Sequence, residues 1–102
     1  MANRGFILRN TGYLDPNKAP KATALGYNPE KDEAPRVLAS GKGVIAEQII
    51  AVAKANNIPI REDPLLAEAL ARVDIGETIP PELYALVAEV LAYIYRVQQK
   101  KV

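Results

Sequence analysis

The sequence predicts an α/β fold, a small mixed β-sheet flanked by about three helices, of which the C-terminal one is longest. Three observations predict it. Two short apolar runs bracket a polar, proline-bearing loop between Ala22 and Gly41. A helical stripe then lies between two short extended stretches. Lastly, two proline-initiated segments carry apolar residues at helical spacing. At 102 residues the chain is one domain's length and can bury roughly two-thirds of its unfolded surface.

The first twenty residues, 1–20, read as a flexible N-terminal extension, with 21–102 as the folded domain. Gly5, Asn10, Gly12, Asp15-Pro16-Asn17 and Pro20 are turn formers without a sustained period, and only Phe6, Ile7 and Leu8 could anchor them. Ala22–Tyr27 reads as a strand. Asn28-Pro29 opens a loop kept in water by Glu30, Lys31, Asp32 and Glu33, and Pro35 closes it before a second strand at Arg36–Ala39. Ser40-Gly41-Lys42-Gly43 turns into a helix at Val44–Asn56, whose stripe is Ile45, Ile49, Val52 and Ala53. Asn56-Asn57 suits the left-handed end of a helix. Ile58-Pro59-Ile60 reads as a third short strand, so that strand, helix and strand suit a right-handed crossover between parallel strands.

Asp63-Pro64 is a helix start, an N-cap acceptor followed by proline at the first helical position. Its buried face is Leu66, Ala69, Leu70 and Val73, and Asp74-Ile75-Gly76 closes it. Pro80-Pro81-Glu82 opens the last helix, with Leu83, Leu86, Val87, Val90, Leu91, Ile94 and Val97 along its apolar stripe. Glu82 near its start and Arg96, Lys100 and Lys101 near its end follow the helix dipole. Tyr84, Tyr93 and Tyr95 sit at the stripe's edge with wet hydroxyls.

Composition narrows the chemistry. Hydrophobic residues make up 49% and charged residues 25%, and the net charge of +1 supplies no electrostatic capture of nucleic acid or of an anionic membrane. No apolar run reaches the length of a membrane span, so direct membrane insertion is not expected. There is no histidine and no cysteine, which removes Ser-His-Asp and Cys-His nucleophilic sites and the imidazole and thiolate metal ligands. No catalytic residue, cofactor or metal is expected. Glu62, Asp63 and Glu68 could suggest a divalent-cation site, but Asp63 is already accounted for as an N-cap. Gly41-Lys42-Gly43 ahead of a helix could cradle a phosphate, yet it lacks the GxxxxGK[ST] frame, and a tight turn explains it. Asn28-Pro29 is the one dipeptide with possible self-reactivity, through attack of the asparagine amide nitrogen on its own carbonyl carbon. The alternative reading is therefore a small self-processing or phosphate-binding enzyme acting through Asn28-Pro29 or the Gly41-Lys42-Gly43 turn.

From about Lys21 to Val97 the sequence closely resembles the cytoplasmic domain of the FlhB/YscU family, the substrate-specificity switches of flagellar and type III export machines. The matching blocks include Ala24-Leu25 with Tyr27, Ala34-Pro35-Arg36-Val37 and Ile58-Pro59-Ile60. They continue through Pro64-Leu65-Leu66-Ala67-Glu68-Ala69-Leu70, Ile75-Gly76, Ile79-Pro80 and Val87 to Tyr93. Family members cleave themselves between the Asn and Pro of an Asn-Pro-Thr-His loop just before this first strand. Anchoring on Ala22-Thr23-Ala24-Leu25 sets Asn17, Lys18, Ala19 and Pro20 at that site, and only the asparagine matches. The chain thus looks like the short, stand-alone FlhB-like (FlhX-type) proteins without the cleavage loop.

The resemblance implies a non-catalytic, cytoplasmic protein-binding module, alone or beside the membrane-embedded export apparatus. Its partners would be export substrates and other apparatus components, met at a patch formed by Ala34, Pro35, Ala88 and Leu91. The competing reading of Ala88 and Leu91 is that they are simply core.

Overall fold

The structure, a computed structural model, describes residues 4–99 apart from 16 and 29. Four strands form one sheet in the order β3-β2-β1-β4. They are β1 (Arg4–Asn10), β2 (Lys21–Tyr27), β3 (Arg36–Lys42) and β4 (Ile60–Glu62). β1 pairs antiparallel with β2, β2 antiparallel with β3, and β1 parallel with β4. The sheet is mixed, as expected, and three helices cover it: α1 (Val44–Ala55), α2 (Pro64–Leu70) and α3 (Tyr84–Gln99), the longest at 16 residues. The α1 crossover does join strands running the same way, but β2 and β1 lie between them.

The largest correction concerns residues 1–20. Arg4–Asn10 is no extension: it is an inner strand, and Phe6, Ile7 and Leu8 are all 3% exposed or less. Seven consecutive pairs bind it to β2, from Arg4 against Tyr27 to Asn10 against Lys21. Alternation along β1 sends Phe6 and Leu8 to one face of the sheet and Ile7 to the other. Turn formers at both ends concealed a strand of only a few apolar residues.

Phe6 and Leu8 join Leu25 and Val37 in the main core, covered by Leu66 and Leu70 of α2 and by Val87, Val90 and Ile94 of α3. Asp63 caps α2 as expected, its Oδ1 accepting the Leu66 N–H at 3.1 Å. α2 ends at Leu70, however, earlier than Asp74-Ile75-Gly76, and the following loop turns back along β3. There the Val37 N–H donates to the Glu77 carbonyl and the Ile79 N–H to that of Pro35, both at 2.9 Å. A 3-10 turn at Pro81–Leu83 precedes α3. Leu86 does not belong to the buried stripe, being 50% exposed, and Val97 is 38% exposed.

The other face is thinner. Ile7 and Ala22 pack against Ala46 and Ala53 of α1, with Ile49 and Ile50 half-buried. Here the expected stripe shifts in part: Ile45 and Val52 are 51% and 59% exposed, while Ala46 joins Ala53 facing inward. Two glycines set this docking. A Cβ at Gly41 would strike the Ile45 side chain, and Gly43 takes φ 61 at the head of α1, where an L side chain is strained. Asn57, at φ 57, ends the helix in the left-handed conformation. β4 is Ile60–Glu62, two residues later than Ile58–Ile60, because Pro59 offers only its carbonyl, accepting the Ile7 N–H at 2.9 Å. Lys100 and Lys101 lie outside the described residues, as does Pro29.

Candidate functional site

The stitched junction between β3 and the loop ahead of α3 builds a depression. Three backbone bonds join Val37 to Glu77, Gly76 to Val37 and Ile79 to Pro35, and the Arg36 guanidinium donates to the Gly76 carbonyl at 2.6 Å. They hold Ala34 and Pro35 beside the first turns of α3. The resulting pocket, about 330 Å³, is walled by Tyr27, Ala34, Pro35, Ile79, Tyr84, Val87, Ala88, Leu91, Ala92 and Tyr95, with Glu33 as its one charged residue. Val87 and Ile79 form a buried floor, each 1% exposed, while Ala88 is exposed. Small side chains at 34, 88 and 92 leave the space that larger ones would fill.

All four residues expected in the patch, Ala34, Pro35, Ala88 and Leu91, line this one pocket. Core and patch are not alternatives at every position. Leu91 packs on the main core while also walling the pocket, and Ala34, 3% exposed, belongs to both. Sequence reasoning missed Tyr84 and Tyr95. The signal for them was present, because 84, 88, 91 and 95 recur at i, i+4, i+7 and i+11 along one face of α3. Chemically the pocket suits an aliphatic segment with little charge.

Residues 17–20, which the resemblance set against the family's cleavage loop, lie in a surface turn between β1 and β2. Asn17 N–H donates to Asp15 Oδ1 at 3.1 Å and Lys18 N–H to the Asp15 carbonyl at 3.0 Å. Asn17, Lys18 and Ala19 are exposed, and the Pro20 carbonyl accepts the Gly43 N–H at 2.8 Å. Asn28 sits in a different turn. Its Oδ1 accepts the Glu30 N–H at 3.0 Å, and its own N–H donates to Asp32 Oδ2 at 3.0 Å. In the Gly41-Lys42-Gly43 turn the glycines answer to packing and backbone, and Glu47 lies in the first turn of α1.

The three carboxylates considered together are held apart in separate roles. Asp63 caps α2. Glu62 accepts from the Thr11 N–H at 2.8 Å and its hydroxyl at 3.1 Å, and lies 3.3 Å from Arg9 Nε. Glu68 accepts from Lys21 Nζ at 2.6 Å and from Asn10 Nδ2 at 3.1 Å. The Lys21 ammonium, foremost, holds the Glu68 carboxyl below its ordinary value, against the opposing pull of desolvation. Among the described residues, no helix is long and apolar enough to cross a membrane.

Comparison with known proteins agrees with this geometry. Residues 17–94 match the model of the FlhB HrpN YscU SpaS family. The uncharacterized protein YlqH of Bacillus subtilis is 44% identical over 79 residues, covering 78% of this chain and 85% of that protein. The flagellar biosynthetic protein FlhB of Aquifex aeolicus is 50% identical over 74 residues, 72% of this chain. The chain spans only 21% of that FlhB's length. The crystal structure of the cytoplasmic domain of FlhB from Shewanella putrefaciens superposes with a TM-score of 0.82 at 31% identity, covering 94% of this chain and 73% of that one. With its fold and most of its length thus matched, the chain belongs to the FlhB HrpN YscU SpaS family.

Proposed function

We propose that this chain is a non-catalytic protein-binding module of the flagellar or type III protein export apparatus, working in the cytoplasm. Its pocket between Pro35 and α3 takes a short aliphatic segment of an export substrate or of another apparatus component. The observation that carries the reading is the meeting of Ala34, Pro35, Ala88 and Leu91 in one apolar depression with a buried floor. Membership in a family whose relatives include flagellar biosynthetic proteins supports the setting.

Ala88→Asp is the clean test, because residue 88 is exposed and a carboxylate there need not enter the core. Ala34 is buried, so Ala34→Asp tests the core as much as the pocket. Titrating the protein with short hydrophobic peptides taken from export substrates should move the amide signals of Ala88 and Leu91. In the Ala88→Asp protein the affinity should fall roughly tenfold or more, since the buried aliphatic partner would face an unpaired charge. Equal affinity in the two proteins discards the pocket.

The module also keeps its own chain whole. The turn at 17–20 has lysine where the family's scissile proline stands. The asparagine's amide nitrogen can still attack its carbonyl carbon, but a lysine amide can make the competing attack that proline blocks, and no histidine is present to move protons. After days at neutral pH the purified protein should give one intact mass. A pair of fragments divided after Asn17 or Asn28 would remove this part of the proposal.

A further inference from the structure

The two edges of the sheet are finished differently. At the start of β3 the chain covers its own edge, since Thr78 bridges Arg36 and the Val37 N–H and carbonyl are taken by Glu77 and Gly76. At the β4 edge no such cover is found among the described residues. Along the β1–β4 ladder the Ile7 N–H donates to the Pro59 carbonyl and the Asp63 N–H to the Arg9 carbonyl, both at 2.9 Å. In a parallel ladder the backbone groups alternate sides, so Arg61 turns its N–H and C=O toward β1. Ile60 and Glu62 then point theirs outward, a row of two donors and two acceptors.

Beside this row runs a groove of about 620 Å³ between β4, the end of α1 and the last turns of α3. Its two sides differ in chemistry. On the α3 side lies Arg61, its guanidinium carbon 4.5 Å from the centre of the Tyr93 ring and its Nε buried without an acceptor. Among the described residues no carboxylate is within ion-pair distance of Arg61 or of Lys54 at the far wall. Glu62, the groove's only acidic residue, is engaged by Arg9 and Thr11. On the α1 side the groove offers Ile58 and Ile60.

We infer that the β4 edge is a second docking site, which takes an extended segment of another protein as a fifth strand. The occupant carries a carboxylate facing Arg61 and, on alternate residues, aliphatic side chains facing Ile58 and Ile60. Main-chain bonds to Ile60 and Glu62 supply the pairing, and the side chains supply the choice of sequence. The charge disfavours a second copy as occupant, because it would bring its own Lys54 and Arg61 against the same two cations. The shortness of β4 and the proline before it limit the partner to a few residues. This site lies apart from the pocket at Pro35, and no residue lines both.

The test uses the whole chain and the capped hexapeptide Ac-Thr-Val-Glu-Ile-Thr-Val-NH2, which sets its glutamate on one face and three aliphatics on the other. Saturating peptide should slow amide hydrogen exchange at Ile60 and Glu62 roughly tenfold or more. A peptide with lysine in place of the glutamate should bind roughly tenfold more weakly, and in the Arg61→Gln protein the two peptides should bind alike. A peptide N-methylated at alternate residues should lose binding. Should Arg61→Gln fail to fold, the lysine and N-methyl peptides on the unaltered protein decide the matter. The inference is overturned if Ile60 and Glu62 gain no protection, or if the N-methylated peptide binds equally. It is also overturned if the shifts gather at Ala88 and Leu91 instead, or if the chain alone dimerises with these two amides already protected.

Discussion

The two faces of the sheet are built from different side chains, and the difference locates the candidate site. Under α2 and α3 the strands present Phe6, Leu8, Leu25 and Val37, all 1% exposed or less. Under α1 they present Ile7, Ala22 and Ala24, and the helix answers with Ala46 and Ala53. On the α2 and α3 side the rim of α3 borders the pocket of about 330 Å³ beside Pro35. On the α1 side Ile45 and Val52 stay more than half exposed and border a second depression of about 310 Å³, walled on the sheet by Ile7, Ala24 and Ala39. The first depression is floored by the fully buried Ile79 and Val87 beside Ala34 and Pro35, while the second is rimmed by half-buried and exposed aliphatics of α1.

β1 and β2 both serve the two faces from the middle of the sheet, and β1 brings the larger side chains, so its removal is the harshest test of this arrangement. Deleting residues 1–10 takes away Phe6, Leu8 and Ile7 together, leaves β2 paired with β3 alone and leaves β4 with no strand beside it. At about 1.5–3 kcal/mol for each fully buried side chain, the loss is comparable with the entire ~5–15 kcal/mol of a typical domain. The truncated chain should show collapsed amide dispersion by NMR and no cooperative urea transition. A folded truncated protein would return residues 1–10 to the status of a tail.

That strand was also the part of the fold least legible in the sequence. Gly5 and Asn10 bracket it, and Phe6-Ile7-Leu8 is a continuous apolar run, as a strand buried on both faces must be, so no alternation announces it. The family match begins at residue 17 and says nothing of it. Helix existence was easier to read than helix orientation. Residues 44–55 carry apolar side chains around much of the helix, and of the expected stripe Ile49 and Ala53 face the sheet while Ile45 and Val52 do not. The Ile45 side chain lies over Gly41 at the rim instead, and nothing local encodes that placement. Asp63-Pro64 was fully legible, because a cap is settled within one turn. Of the pocket, Ala34, Pro35, Ala88 and Leu91 could be named from resemblance. Ile79 could not be placed there, since its position depends on a backbone bond to Pro35.

A pair of truncations measures the contrast between the faces directly. Phe6→Ala should cost about 3–5 kcal/mol in urea unfolding, the usual range for emptying a closed aromatic site. Ile49→Ala, half-buried beneath α1, should cost less than about 2 kcal/mol, because solvent already reaches the space it vacates. Equal losses would mean that the α1 face is as tightly closed as the other, and the distinction between them would fail.

The smallest expected effect sharpens the comparison at the edge of the thicker face. Glu68 of α2 ties that helix to both strands around the 11–20 loop, accepting from Asn10 at the end of β1 and from Lys21 at the start of β2. The two partly exposed side chains of the Lys21–Glu68 pair have relative exposures of 26% and 30%, so Glu68→Gln should cost only about 0.5–1 kcal/mol at neutral pH. Its pH dependence is the more telling measurement. A carboxyl held below its ordinary value of 4.5 stabilises the fold above that value and loses the contribution as pH falls through the lowered one. The gap in stability between the parent and Glu68→Gln proteins should therefore be constant from neutral pH down to about that value, and close below it. Salt should narrow it in the neutral range, since the pair is only partly shielded from water. A gap that persists at low pH would assign the effect to the neutral bond with Asn10, and α2 would then be tied to β1 alone.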